Sequence, residues 1–213
     1  MQPTQPAAVN RRTSRLPRGA RRLQLLRAAQ DVFVAHGFHA AAMDDIAVRA
    51  GVSKPVLYQH FPGKRELYLA LLEEHVSELA DRVGEAMGRT ADNRARVDAA
   101  VGAYFDFIDA DGEAFRLVFE SDLRNDDDVR AIVDRGTRVC VEAIAGVIAA
   151  DTGLDPERAH LLASGLTGLS GTAARWWLPQ KGTVSRDEAV SLMSALAWRG
   201  ISGFPRVDGD AGS

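Results

Sequence analysis

The sequence predicts an all-α protein, and three observations carry that prediction. Apolar residues recur at helical spacing in stretch after stretch, and nowhere do apolar and polar residues alternate as in a half-buried strand. Residues 42–64, AMDDIAVRAGVSKPVLYQHFPGK, also read as two short helices joined by a three-residue turn. In the first, Ile46, Ala47 and Ala50 share one face. Gly51 supplies the positive φ of a tight helix stop, and Ser53 is a good N-cap for the second helix. Pro55 falls in the first turn, where no intrahelical donor is needed, and Pro62-Gly63 ends the helix. The second helix of such a pair can enter the major groove of DNA.

The other elements follow in order. Residues 1–17 hold three prolines with Arg11, Arg12 and Arg15 and no periodicity, so a disordered basic arm is expected, either solvated or laid along phosphates or a minor groove. Residues 18–36 place Leu23, Leu26, Ala29, Val32 and Phe33 on one stripe; Gly37 closes that helix and Phe38 packs beneath it. A helix-turn-helix head therefore spans 18–64. A ligand-binding and dimerisation body is expected over 65–205, followed by a frayed tail over 206–213. Helices are expected at 65–87, 94–109, 129–150, 156–177 and 186–201, with a short aromatic piece over 113–121. The acidic turn 125–128 lacks the alternating ligands and glycine of a calcium loop and reads as a helix cap. Asp155 and Pro156 give the next helix its N-cap and first residue. That helix contains Gly165, Gly168 and Gly171, which close helix–helix approach would explain.

Charge is distributed unevenly. The net charge of −3 conceals a +8 balance over residues 1–65 (nine Arg and two Lys against three Asp) and −11 over the remainder. A basic end on an acidic body is the footprint of a protein that meets a polyanion with one end only. Within that end, the amides at Ser53 suit a phosphate, Lys54 and Lys64 flank the second helix, and Tyr58 and His60 offer hydrogen bonds. Gln59 can read adenine, and the Val56 methyls can touch a thymine methyl. The plainer reading is a helical hairpin whose Tyr58 and Phe61 are packing aromatics.

The single cysteine, Cys140, excludes an internal disulfide framework and a multi-cysteine metal site, and suits a cytoplasmic setting. No apolar run follows the arginine-rich start, so no secretory signal is expected. The longest apolar stretch, 141–150, is too short to span a bilayer. No enzyme signature emerges. His36 and His39 flank a helix stop without a third ligand, Cys140 has no visible base, and Ser170-Gly171 lacks a strand–turn–helix context. No enzyme activity, cofactor or metal is expected.

The stretch AAQDVFVAHGFHAAAMDDIAVRAGVSKPVLYQHFPGKREL, from Ala28 to Leu67, resembles the N-terminal domain of TetR-family transcriptional regulators. The resemblance rests on AGVS, LYQHF and the lysine before the next helix. It implies an all-helical homodimer whose last two long helices, here 156–177 and 186–201, form a four-helix interface. It also implies a body that binds a small molecule, phosphate contacts from Tyr58, His60 and Lys64, and base contacts from Lys54, Pro55, Val56 and Gln59. One departure stands out. Ala42 replaces the threonine that caps the first motif helix and touches phosphate, which leaves Asp44 to serve the helix dipole.

Farther along the chain RLPR, YFDFID, FRLVFESDL and LAWRGI are similar to actinobacterial regulators of fatty-acid synthesis, the FasR group. This narrower resemblance implies control of synthase genes and a response to long-chain acyl-CoA. Phe105, Phe115, Phe119, Leu162, Leu166 and Trp176 are the candidate lining of an acyl tunnel, without a charge partner at depth. Each is equally a residue for an ordinary core. A repressor of an efflux or catabolic operon that senses a hydrophobic or cationic molecule is the alternative. The clustering of acids at turns and helix ends disfavours it. A purely architectural DNA binder would have no use for so large a body.

Overall fold

The computed structural model describes residues 16–110, 112, 123 and 125–199. Among them every regular element is helical. Leu25, Leu26, Ala28, Ala29, Val32 and Phe33 bury one side of α1 (Arg18–Ala40). Leu23, expected on that stripe, is 45% exposed, and Leu25 takes the inward position. Gly37, at φ 73°, kinks α1 rather than ending it. The kink turns Phe38 onto Phe33 and Tyr68, with ring centroids 6.0 and 5.1 Å apart.

α2 (Met43–Ala50) stops at Gly51 in the left-handed region, and α3 (Lys54–His60) follows with Ser53 at its N-cap. α4 (Lys64–Gly88) then runs out of the head. Its first half lies in one core with α1–α3, and its second half lies in a separate core with the body helices. The core holding the head also takes in Val129 and Ile132, from far along the chain.

The body continues with α5 (Asn93–Ala110), α6 (Asp127–Thr152), α7 (Pro156–Trp177), a 3-10 turn at Leu178–Gln180 and α8 (Arg186–Arg199). α4 packs against α5 and α6, α6 against α7, and α5 against α8. The acidic turn does act as a cap: Asp126 Oδ1 accepts from the backbone N–H groups of Asp128 at 3.0 Å and Val129 at 3.3 Å. No cluster of His, Cys, Asp and Glu among the described residues could hold a metal ion. Asp155 caps α7 as expected, accepting from Arg158 N–H at 2.9 Å.

Of the three α7 glycines only Gly171 meets the expected close approach, a Cβ there falling 3.2 Å from the Tyr104 hydroxyl of α5. A Cβ on Gly165 or Gly168 would meet nothing within 4 Å, so no neighbour among the described residues requires them to be small. The tightest approach is at Gly136 of α6, where a Cβ would fall 1.8 Å from Val76 Cγ1 of α4. No described helix is long and apolar enough to cross a membrane. The aromatic piece at 113–121, the outer parts of the expected arm and the tail at 206–213 lie outside the described residues.

Candidate nucleic-acid interface and ligand cavity

The second motif helix is anchored by one residue and presents most of the rest. Leu57 is fully buried, while Ser53, Lys54, Pro55, Tyr58 and Gln59 are exposed and Val56 and His60 are half-buried. Gly51 makes this possible: at φ 65° and ψ 35° its N–H reaches back to the Ala47 and Val48 carbonyls, turning the chain sharply between α2 and α3. The Ser53 side chain makes no capping bond and stays available beside the first amides of α3. At α2 the N-cap position is Ala42, and no side chain caps it. Asp44 in its first turn is drawn to Lys54, whose Nζ lies 2.5 Å from Asp44 Oδ2. That contact raises the pKa of the exposed Lys54.

Lys64 is more tightly held than its place in the sequence suggests. Its Nζ donates to the carbonyls of His39 at 3.0 Å and Ala41 at 2.9 Å, and lies 4.7 Å from the Phe38 ring centroid. An ammonium has three donors, so one N–H remains for a phosphate. The next residue, Arg65, faces the body, with Nη2 3.0 Å from Asp126 and 2.7 Å from Asp128.

Reading the motif alone misses three residues. Arg18, Arg21 and Arg22 share one face of α1 at i, i+3 and i+4, and that spacing is the signal that could have found them. The Arg22 guanidinium lies 4.8 Å over the Phe61 ring, at the end of α3. Arg21 donates to Gln24 Oε1 at 2.7 Å, and Gln24 in turn donates to the Ala50 carbonyl at 2.8 Å. Partial burial, reinforced by the charges of Arg18, Arg22 and Arg21, pushes the His60 imidazole below its ordinary 6.5. His60 is therefore neutral at pH 7. If it contacts a phosphate, complex formation raises its pKa, so DNA binding should strengthen as pH falls through the interval between the free and bound values. Titrating affinity from pH 7.5 to 5.5 should show this, and His60→Gln should abolish it. An identical pH profile for the two proteins would remove His60 from the contact set.

The body holds a half-open cavity of about 770 Å³ among α4, α5, α6, α7 and α8, with exposed Leu161, Leu162 and Trp198 on its wall. Val83 and Met87 close it from α4, and Val97, Ala100 and Val101 from α5. Ile144, Val147 and Ile148 line it from α6, and Leu161, Leu162, Leu166 and Leu169 from α7. Leu162 and Leu166, expected from the sequence, are on its wall. Two expected residues are not. Phe105 is fully buried in the body core, 5.3 Å from the Trp177 ring, and Trp176 is 65% exposed. The inward register of α7 runs through Ala159, Ala163, Gly171, Ala174 and Trp177, which turns Trp176 outward. Trp177 instead donates from Nε1 to the Val184 carbonyl at 2.9 Å. Phe115 and Phe119 lie outside the described residues.

Tyr104 and Cys140 also border the cavity. Burial pushes the Tyr104 phenol up to about 12 and raises the Cys140 thiol, so neither supplies an anion at neutral pH. Exposed Trp176 and Leu192 lie off the cavity wall on α7 and α8, whereas exposed Leu161 and Trp198 border its open side.

The family model for bacterial regulatory proteins of the tetR family matches residues 25–71, and that for a tetracyclin repressor-like C-terminal domain matches residues 93–200. The HTH-type transcriptional activator FasR of Mycolicibacterium smegmatis is 50% identical over 200 residues, covering 94% of this chain and 91% of its own. A TetR-like transcriptional regulator from Rhodococcus sp. RHA1 superposes with a TM-score of 0.69 at 28% identity, over 89% of this chain and 100% of that one. The regulator FadR from Bacillus subtilis, solved in complex with stearoyl-CoA, gives a TM-score of 0.70 at 19% identity. It covers 84% of this chain and 98% of its own, a likeness of fold alone.

Proposed function

The chain belongs to the TetR family of bacterial regulatory proteins and to its FasR-like group, and is a DNA-binding transcriptional regulator; from that premise we propose that it controls fatty-acid or lipid synthesis genes in response to a long-chain acyl ligand such as acyl-CoA. The observation that supports this reading is the cavity, apolar through its middle and large enough for an acyl chain. The half-identical relative is a transcriptional activator, and a protein of the same fold holds stearoyl-CoA. A cationic effector is less well served. The carboxylate on the cavity wall, Asp151, is already paired with Arg96 at 2.9 Å.

In this reading the head over 18–64 contacts DNA through Ser53, Lys54, Pro55, Val56, Tyr58, Gln59, His60 and Lys64, with the α1 arginines adding phosphate contacts. The body over 65–205 binds ligand and dimerises, and the protein acts in the cytoplasm without catalysing a reaction. Trp176 and Leu192, exposed on α7 and α8 away from the cavity wall, belong to the surface a second copy would cover. Two heads then read half-sites in successive major grooves, roughly 34 Å or a multiple of it apart. Ligand shifts the population of head spacings by its differential affinity for the two states. α4 is the lever, because it starts in the head core and ends on the cavity wall.

The test is a fluorescence-anisotropy titration of the protein on its own upstream DNA, with and without palmitoyl-CoA, and with a cationic drug in parallel. A shift with the acyl-CoA alone is expected; specific binding that ignores it would discard the ligand while keeping the regulator. In the same assay, Tyr58→Phe should weaken all duplexes alike, whereas Gln59→Ala should erode the preference for operator over random DNA. Equal losses on both duplexes would remove Gln59 from the base readout.

A further inference from the structure

Among the described residues the cavity carries charge at one end only. There Arg96 of α5 faces Asp151 of α6 at 2.9 Å, with Asn93 and Thr152 beside them on the wall. This pair sits at the rim of the cavity, half-buried on the Arg96 side, the two side chains being 23% and 30% exposed. The guanidinium is also fixed in orientation. Its Nε donates to the Thr90 carbonyl at 2.9 Å, and its Nη1 to Asn93 Oδ1 at 3.0 Å as well as to Asp151. Nη2 makes no hydrogen bond among the described residues. Two N–H groups are thus held ready where the apolar wall ends.

We propose that Arg96 is the head-group site of the cavity: it binds the anionic oxygen of an acyl amphiphile, carboxylate or phosphate, and Asp151 is the internal counterion that holds this site when no ligand is present. The inference rests on the acyl reading of the cavity and specifies which end of the ligand goes where. A half-buried guanidinium at the end of an apolar wall favours an anion, and Asp151 supplies one in the empty protein. An incoming carboxylate or phosphate can use the unbonded Nη2 and compete with Asp151 for Nη1, forming the forked pair that guanidinium favours. Because that anion competes with a tethered one, a small anion such as acetate gains too little to enter. An amphiphile gains the apolar wall as well, so occupancy demands both a chain and a charged head. If Arg96 and Asp151 were only a strut between α5 and α6, losing either partner would have the same effect on ligand binding.

That difference is the test. Binding of palmitate, palmitoyl-CoA and methyl palmitate to the full-length protein can be followed by tryptophan fluorescence, since Trp198 lies on the cavity wall. Wild type should bind both anionic probes at least tenfold more tightly than the methyl ester. Arg96→Gln should abolish that preference with the ester's affinity unchanged. Asp151→Asn should tighten both anionic probes several-fold and leave the ester alone, and the probe that gains more identifies carboxylate or phosphate as the head. If Arg96→Gln does not fold, Asp151→Asn decides the matter by itself. Weaker anionic binding in Asp151→Asn, or equal wild-type affinity for all three probes, would overturn the head-group site and leave the acyl reading intact. Binding of none of the three would overturn both.

Discussion

Replacing Gly136 by alanine is expected to lower the thermal midpoint by roughly 3–10 °C, as an overpacked core in a chain of this size would. The residue sits where α6 crosses α4, buried against Val76. The added methyl would lie 1.8 Å from Val76 Cγ1 and 3.3 Å from Val76 Cβ. Rotating the valine relieves the first clash and not the second, and a β-branched side chain in a helix has one strongly preferred rotamer. The two helices must therefore separate. The same change at Gly146, also on α6 but with nothing within 4 Å of the new Cβ, should stabilise by up to about 1 kcal/mol through helix propensity. Adding Val76→Ala to Gly136→Ala should restore much of the loss. A thermal melt of the four proteins checks this; an unchanged midpoint for Gly136→Ala would mean that the crossing is looser than its geometry. Because α4 joins the head core to the cavity, any response of DNA binding to acyl-CoA should change along with the midpoint.

Lys64→Ala should weaken operator and random DNA alike, by about tenfold or more, and lower the salt-dependence slope by about one. The side chain closes the α1–α2 connection onto the first turn of α4 through two carbonyl bonds and the face of Phe38. Charge-assisted bonds of this kind contribute on the order of 1.5–3 kcal/mol each when shielded, and less here because one of them is exposed. Its loss would remove the proposed phosphate donor and also free the start of α4, which Arg65 ties to Asp126 and Asp128. Anisotropy titrations at several salt concentrations separate the two effects. A slope unchanged from wild type would leave Lys64 as a strut without a phosphate contact.

Helix positions were legible in the sequence because their signals are local. Ser53, Asp126 and Asp155 occupy N-cap positions, Pro156 opens α7, and Gly51 takes the left-handed turn between α2 and α3. Each depends on a few neighbouring residues and their backbone geometry, which is why the order of elements and the exposed second motif helix could be read without coordinates. The charge asymmetry that sets the head apart from the body is likewise a property of composition.

What only the tertiary structure decided is where each helix points its face, and what meets it there. Periodicity shows that a helix has an apolar side, but neighbouring positions differ by only about 100° in direction. Leu25 rather than Leu23, and Trp177 rather than Trp176, turned inward because α4 and α5 lay on that side. The tightest glycine crossing was at Gly136, opposite Val76 and sixty residues away from it, whereas in the conspicuous series on α7 only Gly171 packs closely. Arg96 and Asp151, fifty-five residues apart, became one site only when α5 and α6 came together. Caps and turns are set by interactions within a few residues, so sequence determines them directly. Facing, close crossing and ion pairing depend on relative helix orientation, which only the packed chain establishes.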